Sequence, residues 1–181
     1  VHPYDQPEFI AGNASLGLEV LEDLPEVDVV VVPVGGGGLI GGVATALHLR
    51  APRVRVIGVE PEQSDALRRG LERGEPVPVE PRSIADGLGA PTAGRLAMEI
   101  GRVAIEQVVL VDDATILQGM RFAVERMKQV LEPAGATALG AVLAGAVPLR
   151  PGERVCVVLS GGNVAIERLG VYLEAAAPSE G

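Results

Sequence analysis

The sequence predicts an α/β fold: a doubly wound, mostly parallel sheet with helices on both faces. Three features predict it. Residues 28–33 (DVVVVP) are a continuous β-branched run, the pattern of a strand covered on both faces, and the runs 54–59 (VRVIGV) and 155–159 (VCVVL) read as further strands. Segments with helical spacing separate them, and strands that alternate with helices pack as a parallel sheet. The first and last of these runs are each followed by a glycine cluster, the sequence mark of a strand that turns into a helix beside a ligand.

The elements follow in order. Residues 7–24 carry Ile10, Ala14, Leu18 and Leu21 at helical spacing, and Pro7 is tolerated in a first turn. The strand 28–33 comes next, then a helix 39–49 with small residues on one side. After the strand 54–59, residues 63–74 read as a polar helix whose end is marked by Gly70 and Gly74. Residues 75–91 hold four prolines and little periodicity; they predict a long functional loop with at most one short strand. A helix 92–104 and a strand 107–111 (QVVLV) follow. Asp112 and Asp113 cap a long helix expected to reach Leu131. Residues 134–146 form an apolar helix, 155–159 the last strand and 164–175 the last helix; the tail AAAPSEG is expected to fray. No period of 20–50 residues recurs, which excludes a solenoid.

Composition narrows the function. At 181 residues, 48% hydrophobic and 22% charged, the chain can bury a core and is not a disordered acidic segment. Its longest apolar stretch is far shorter than the roughly 20 residues of a membrane span, so no membrane partner is expected. The net charge of −9 and an aromatic content of 2% argue against a nucleic-acid partner, which calls for a basic face or stacking platforms. The one cysteine, Cys156, lies within a buried strand pattern and reads as a packed, inert thiol; a lone cysteine with no signal peptide fits a reducing cytoplasm. His2 and His48 lack partners at ligand or triad spacing. Of the 15 basic residues only Lys128 is a lysine, so chemistry that needs a lysine has a single candidate.

Gly35, Gly36, Gly37 and Gly38, with Leu39, form the first junction (PVGGGGL). A turn needs one or two glycines; four in a row remove every Cβ, letting backbone N–H groups converge on an anion at the positive end of the next helix. Gly36, Gly38 and Gly41 also match G-x-G-x-x-G, with Glu60 about 20 residues on, so the loop alone leaves a dinucleotide site open. The second junction, Ser160-Gly161-Gly162-Asn163, places a polar side chain at a strand end; by itself it reads first as a helix N-cap.

Taken together, VHPYDQPEFIAG, PVGGGGLIGG, GVEPE, IADGLG, ERMKQVLEPAGATALGAVL and VVLSGGN resemble, in order, the C-terminal part of the fold-type II pyridoxal-phosphate enzymes. The threonine/serine dehydratases and serine racemase resemble it most. The resemblance spans residues 1 to about 170, and the dinucleotide reading has no place for IADG, LEPAG or SGGN. It implies the large domain of that fold, pyridoxal 5'-phosphate as cofactor and an amino acid as substrate. Gly35, Gly36, Gly37, Gly38 and Leu39 match the phosphate loop, Ser160 the partner of the pyridine nitrogen and Gly87 the lining of the cleft. Glu132 matches an acid near the cofactor, and reads equally as an ordinary helix-start carboxylate. The reaction implied is β-elimination from L-threonine or L-serine to 2-oxobutanoate or pyruvate plus ammonia. Racemisation or hydroxyaspartate lysis within the family, and a non-catalytic phosphate- or nucleotide-binding module, are the alternatives.

Two positions depart from the pattern. Tyr4 stands where serine racemase has a polar residue near the cofactor, and many bacterial dehydratases resemble this chain there. Ala66 replaces the second acid of the family's divalent metal site, for which Glu60 and Ser64 match the other ligands, so no metal is expected. The family's Schiff-base lysine and its substrate-carboxylate loop have no counterpart here, and Lys128 reads as a solvated helix lysine. The chain is therefore expected to be a C-terminal fragment, residues 1–181, of a longer two-domain enzyme. It should be inactive alone, need an N-terminal segment or domain, and form homo-oligomers as family members commonly do.

Overall fold

The structure, a computed structural model, describes residues 2–176. The chain runs α1 (Pro7–Asp23), β1 (Val29–Pro33), α2 (Gly38–Arg50), β2 (Arg55–Pro61), α3 (Ala66–Arg73), a short 3-10 turn (Asp86–Leu88), α4 (Arg95–Ala104), β3 (Gln107–Val111), α5 (Asp113–Phe122), α6 (Pro133–Leu143), β4 (Val155–Val157) and α7 (Ile166–Ala175). All four strands are parallel, in the order β3-β2-β1-β4.

Alternation along β1 divides the core. Val30 and Val32 join Ile40, Val43 and Leu47 of α2, Leu67 of α3 and Ala97 of α4 on one face of the sheet. Val29 and Val31 join Ile116 of α5 and Ala138 of α6 on the other. A right-handed crossover fixes this division. The chain steps from β1 to β2 to β3 with its helices on one face, then reverses to reach β4 and must cross on the other. At the amino edge of the strands Arg55 pairs with Glu106 at 2.7 Å and Glu153 at 2.8 Å, joining the starts of three strands.

The reversal decides where a ligand can bind. Strand order switches direction between β1 and β4, so the loops that leave their carboxyl ends splay to opposite faces and open a crevice. Those loops are residues 34–37 and 158–165, the two glycine junctions.

Three local expectations are corrected. The helix begun at Asp113 does not reach Leu131: it loosens into a π turn over Ala123–Met127, and Lys128 ends it in the left-handed region at φ 58°. An extended stretch then leads to Glu132. Gly70 is a buried interior residue of α3, and Gly74 alone, at φ 82°, closes that helix. Residues 75–91, by contrast, are the long loop expected, with the 3-10 turn as their one regular element. Finally, β4 stops at Val157, and its residues are half-buried rather than buried, because among the described residues it pairs only with β1. Cys156 is accordingly half-buried, though burial still pushes its thiol up.

Candidate active site

The crevice between β1 and β4 is a cleft of about 430 Å³, and every predicted site residue lines it: Gly35, Gly36, Gly37, Gly38, Leu39, Gly87, Glu132 and Ser160. Tyr4, Phe9, Asn13 and Leu88 are among the other residues of its wall. Grooves of about 700 Å³ near the ends of α1 and α2 and about 550 Å³ between α5 and α6 are larger; neither includes a glycine junction.

β1 ends at Pro33 and α2 begins at Gly38, so the four glycines span the turn. Among the described residues no acceptor takes the N–H groups of Gly35, Gly36, Gly37, Gly38 or Leu39. A helix start leaves its first N–H groups without intrahelical partners, and a run of five that extends back through the turn is the donor set of an anion site. The glycines are also required sterically. Gly37 sits at φ 93° and a Cβ on it would lie 2.4 Å from Ala97 Cβ; one on Gly36 would lie 2.2 Å from Tyr4 Cγ. On the far side of the loop Gly36 O accepts the N–H of Gly94 at 2.9 Å.

The second wall is built by the start of α6 against the loop after β4. Glu132 is the N-cap residue of α6, yet its side chain does not cap that helix. Its Oε2 accepts the N–H of Asn163 at 2.9 Å, and its own N–H donates to Gly161 O at 3.2 Å. Gly135 lets α6 approach: a Cβ there would be 2.3 Å from Ser160 O and 2.4 Å from Gly161 O. Gly161, at φ 95°, completes the bend. Ser160 is thus fixed through its backbone while its hydroxyl has no hydrogen-bond partner among the described residues. Gly87 packs against the start of α6: a Cβ there would be 3.0 Å from Ala134 Cβ and 3.5 Å from Glu132 Oε1.

Sequence reasoning did not find Asn163 as a partner of Glu132, nor Gly135. Gly135 carried a signal in LEPAG, since glycine in the first turn of a helix has low propensity without a close approach to justify it. Lys128 does not line the cleft; it is exposed, and its Nζ donates to Glu125 O at 2.6 Å. Glu60 lies outside as well. It is fully buried at the start of α3, where its carboxyl oxygens accept the N–H groups of Leu67 at 2.8 Å and Arg68 at 2.9 Å.

Residues 1–161 match the family model described as pyridoxal-phosphate dependent enzyme. The chain belongs to this family. Among curated relatives, an L-threonine ammonia-lyase from Thermotoga maritima is 41% identical over 170 residues, covering 93% of this chain and 42% of that protein. A serine racemase from Arabidopsis thaliana is 38% identical over 175 residues, covering 93% of this chain and 52% of that protein. The solved structure of the processed form of threonine deaminase isoform 2 from Solanum lycopersicum superposes with a TM-score of 0.90 at 30% identity. It covers 97% of this chain and 49% of that one. The chain spans about half the length of the curated relatives it matches. As a pyridoxal-phosphate family chain its fold and its dependence on that cofactor are those expected from the sequence, and the cleft suits a phosphorylated ring: unpaired N–H groups at one end, a free hydroxyl on the wall. Among the described residues no helix is long and apolar enough to cross a membrane.

Proposed function

We propose that this chain is the phosphate-binding half of an L-threonine or L-serine dehydratase, releasing ammonia and 2-oxobutanoate or pyruvate. The observation that carries the reading is the meeting of five unpaired N–H groups and the Ser160 hydroxyl in one cleft. Relatives named L-threonine ammonia-lyase at 41% identity support the reaction class. Bound pyridoxal phosphate supplies the electron sink for the elimination. Gly35, Gly36, Gly37, Gly38 and Leu39 bind its phosphate through backbone N–H groups, aided by the positive end of α2. The Ser160 hydroxyl would serve the ring nitrogen as a neutral partner, which would not hold a proton there as a carboxylate does. Gly87 lines the cleft beside Glu132 and Ala134. Glu132 holds the loop that carries Ser160. The lysine that anchors the cofactor and moves the substrate proton is supplied from outside this chain, by a segment or domain that closes the cleft, and the whole enzyme is a homo-oligomer of the cytoplasm.

The test is a titration of the chain with inorganic phosphate and with pyridoxal phosphate. Wild type should bind both in competition, and the pair Gly36→Val with Gly37→Val should weaken both at least about tenfold, a loss of ~1.4 kcal/mol of N–H contacts. Unchanged affinity in a folded double variant rules the loop out. The chain alone should release no ammonia from threonine; adding the segment its relatives possess, in cis or as a second chain, should restore release.

A further inference from the structure

The segment ahead of α1 is a closed strap. His2 Nδ1 accepts the N–H groups of Tyr4 at 3.4 Å and Asp5 at 3.0 Å, and His2 N donates to Gln6 Oε1 at 3.0 Å. Asp5 reaches out of it. Its Oδ1 accepts the N–H of Leu96 at 3.0 Å, in the first turn of α4, 91 positions along the chain. The N-cap residue of α4, Gly94, has no side chain to do this, and a Cβ there would stand 2.9 Å from Asp5 Oδ1. The cap of α4 is therefore lent by the strap, where a carboxylate also meets the positive end of the helix.

The contacts continue into the cleft. Gly94 N donates to Gly36 O at 2.9 Å, and the Tyr4 ring lies flat on Gly36 at the distance where a Cβ would collide. A trans peptide points its C=O and N–H in opposite directions, so holding Gly36 O toward α4 turns the Gly37 N–H away from α4. Asp5, the first turn of α4, Gly36 and Tyr4 close a circuit around the glycine loop.

We propose that Asp5 is a positioning residue for the anion loop: by capping α4 it clamps Tyr4 onto Gly36 and presets the loop N–H groups. The inference rests on the reading of residues 35–39 as the phosphate site. Its test needs no turnover. The chain has two tyrosines and no tryptophan, so in a Tyr172→Phe background the ultraviolet emission comes from Tyr4. Acrylamide quenching of Tyr4 and affinity for inorganic phosphate are compared for wild type, Asp5→Ala and Asp5→Asn, well below the unfolding temperature. Asp5→Ala should raise quenching and weaken phosphate binding about fivefold, the worth of one lost cap. Asp5→Asn, which keeps the Oδ1 acceptor, should restore most of both. Gly94→Ala, which displaces the carboxylate without altering it, should reproduce Asp5→Ala and serves if that variant does not fold. A cap of structural value alone would lower the unfolding temperature and leave quenching and affinity as in wild type; that result overturns the proposal. If wild type binds no phosphate, the reading of the loop fails, and equal quenching in Asp5→Ala and Asp5→Asn then overturns the clamp on its own.

Discussion

Glu132 Oε2 accepts the backbone N–H of Asn163 at 2.9 Å. The acid at the head of α6 is thereby committed to the neighbouring loop, and its effect on the cleft passes through the placement of Ser160.

Glu132→Ala should separate the two ends of the site. Asn163 is exposed, so water replaces the lost acceptor and stability should fall by only about 0.5–1 kcal/mol. Pyridoxal phosphate should bind several-fold more weakly because Ser160 is no longer held. Inorganic phosphate, which needs only the glycine loop, should bind as before. Glu132→Gln keeps an acceptor and should lie close to wild type. Parallel titrations with the two ligands check this; equal losses for both ligands contradict it.

Gly135→Ala should be costly for a reason visible only in the packing. Its Cβ would stand 2.3 Å from Ser160 O, a backbone atom, so the loop or α6 must shift at about 2–3 kcal/mol. Gly145→Ala is the control: its Cβ meets nothing within 4 Å, and only its φ of 70° opposes the change, at about 1 kcal/mol. Urea unfolding midpoints of the two variants should differ accordingly.

Burial pushes the Glu60 carboxyl up to about 8 from its ordinary 4.5, against the N–H groups of Arg68 and Leu67, which favour the charged form; the charge of Asp65 adds to the rise. Between those values the folded chain holds a proton that the unfolded chain has released. This contribution is complete below about pH 4.5 and is lost as pH rises through about 8. Stability should therefore decline from mildly acid to mildly alkaline pH by up to a few kcal/mol. Glu60→Gln should flatten the slope in urea unfolding at several pH values. A slope unchanged in that variant assigns it to other groups.

Lys128 is the one non-glycine residue at positive φ among those described. Lys128→Gly should stabilise the chain by roughly 0.5–1 kcal/mol, since glycine adopts the left-handed helix end without strain. It should leave pyridoxal phosphate affinity unchanged. Borohydride treatment of the chain with the cofactor should give no stoichiometric link to Lys128. A link that forms at one equivalent would place the lysine in the cleft.

Much of the site was legible because it is carried by residue types with few other uses. Four consecutive glycines after a β-branched run have little purpose except to expose backbone, and a parallel sheet puts the carboxyl ends of all its strands at one edge. Those two facts place residues 35–39 and Ser160 at the same rim before any coordinates. Helix ends were less legible. Nothing in ERMKQVL forbids a helix, and it is the π turn closing on Ala123 O that stops it at Lys128. The run VCVVL was read as a buried strand, whereas a strand's covering depends on its neighbours in the sheet.

The sequence by itself determined the strand–helix alternation, the two glycine junctions and the family they mark, because periodicity and backbone exposure are local properties of residue order. Only the tertiary structure decided that β4 lies beside β1, which turns two loops 125 positions apart (Gly35 and Ser160) into opposite walls of one cleft. It also decided that Glu132 serves Asn163 and that Asp5 caps α4. The reason is physical: these carboxylates are paired with backbone N–H groups. Every residue but proline carries one, so residue type cannot mark which of them a distant side chain will meet; the packing of helices and strands brings that donor within reach.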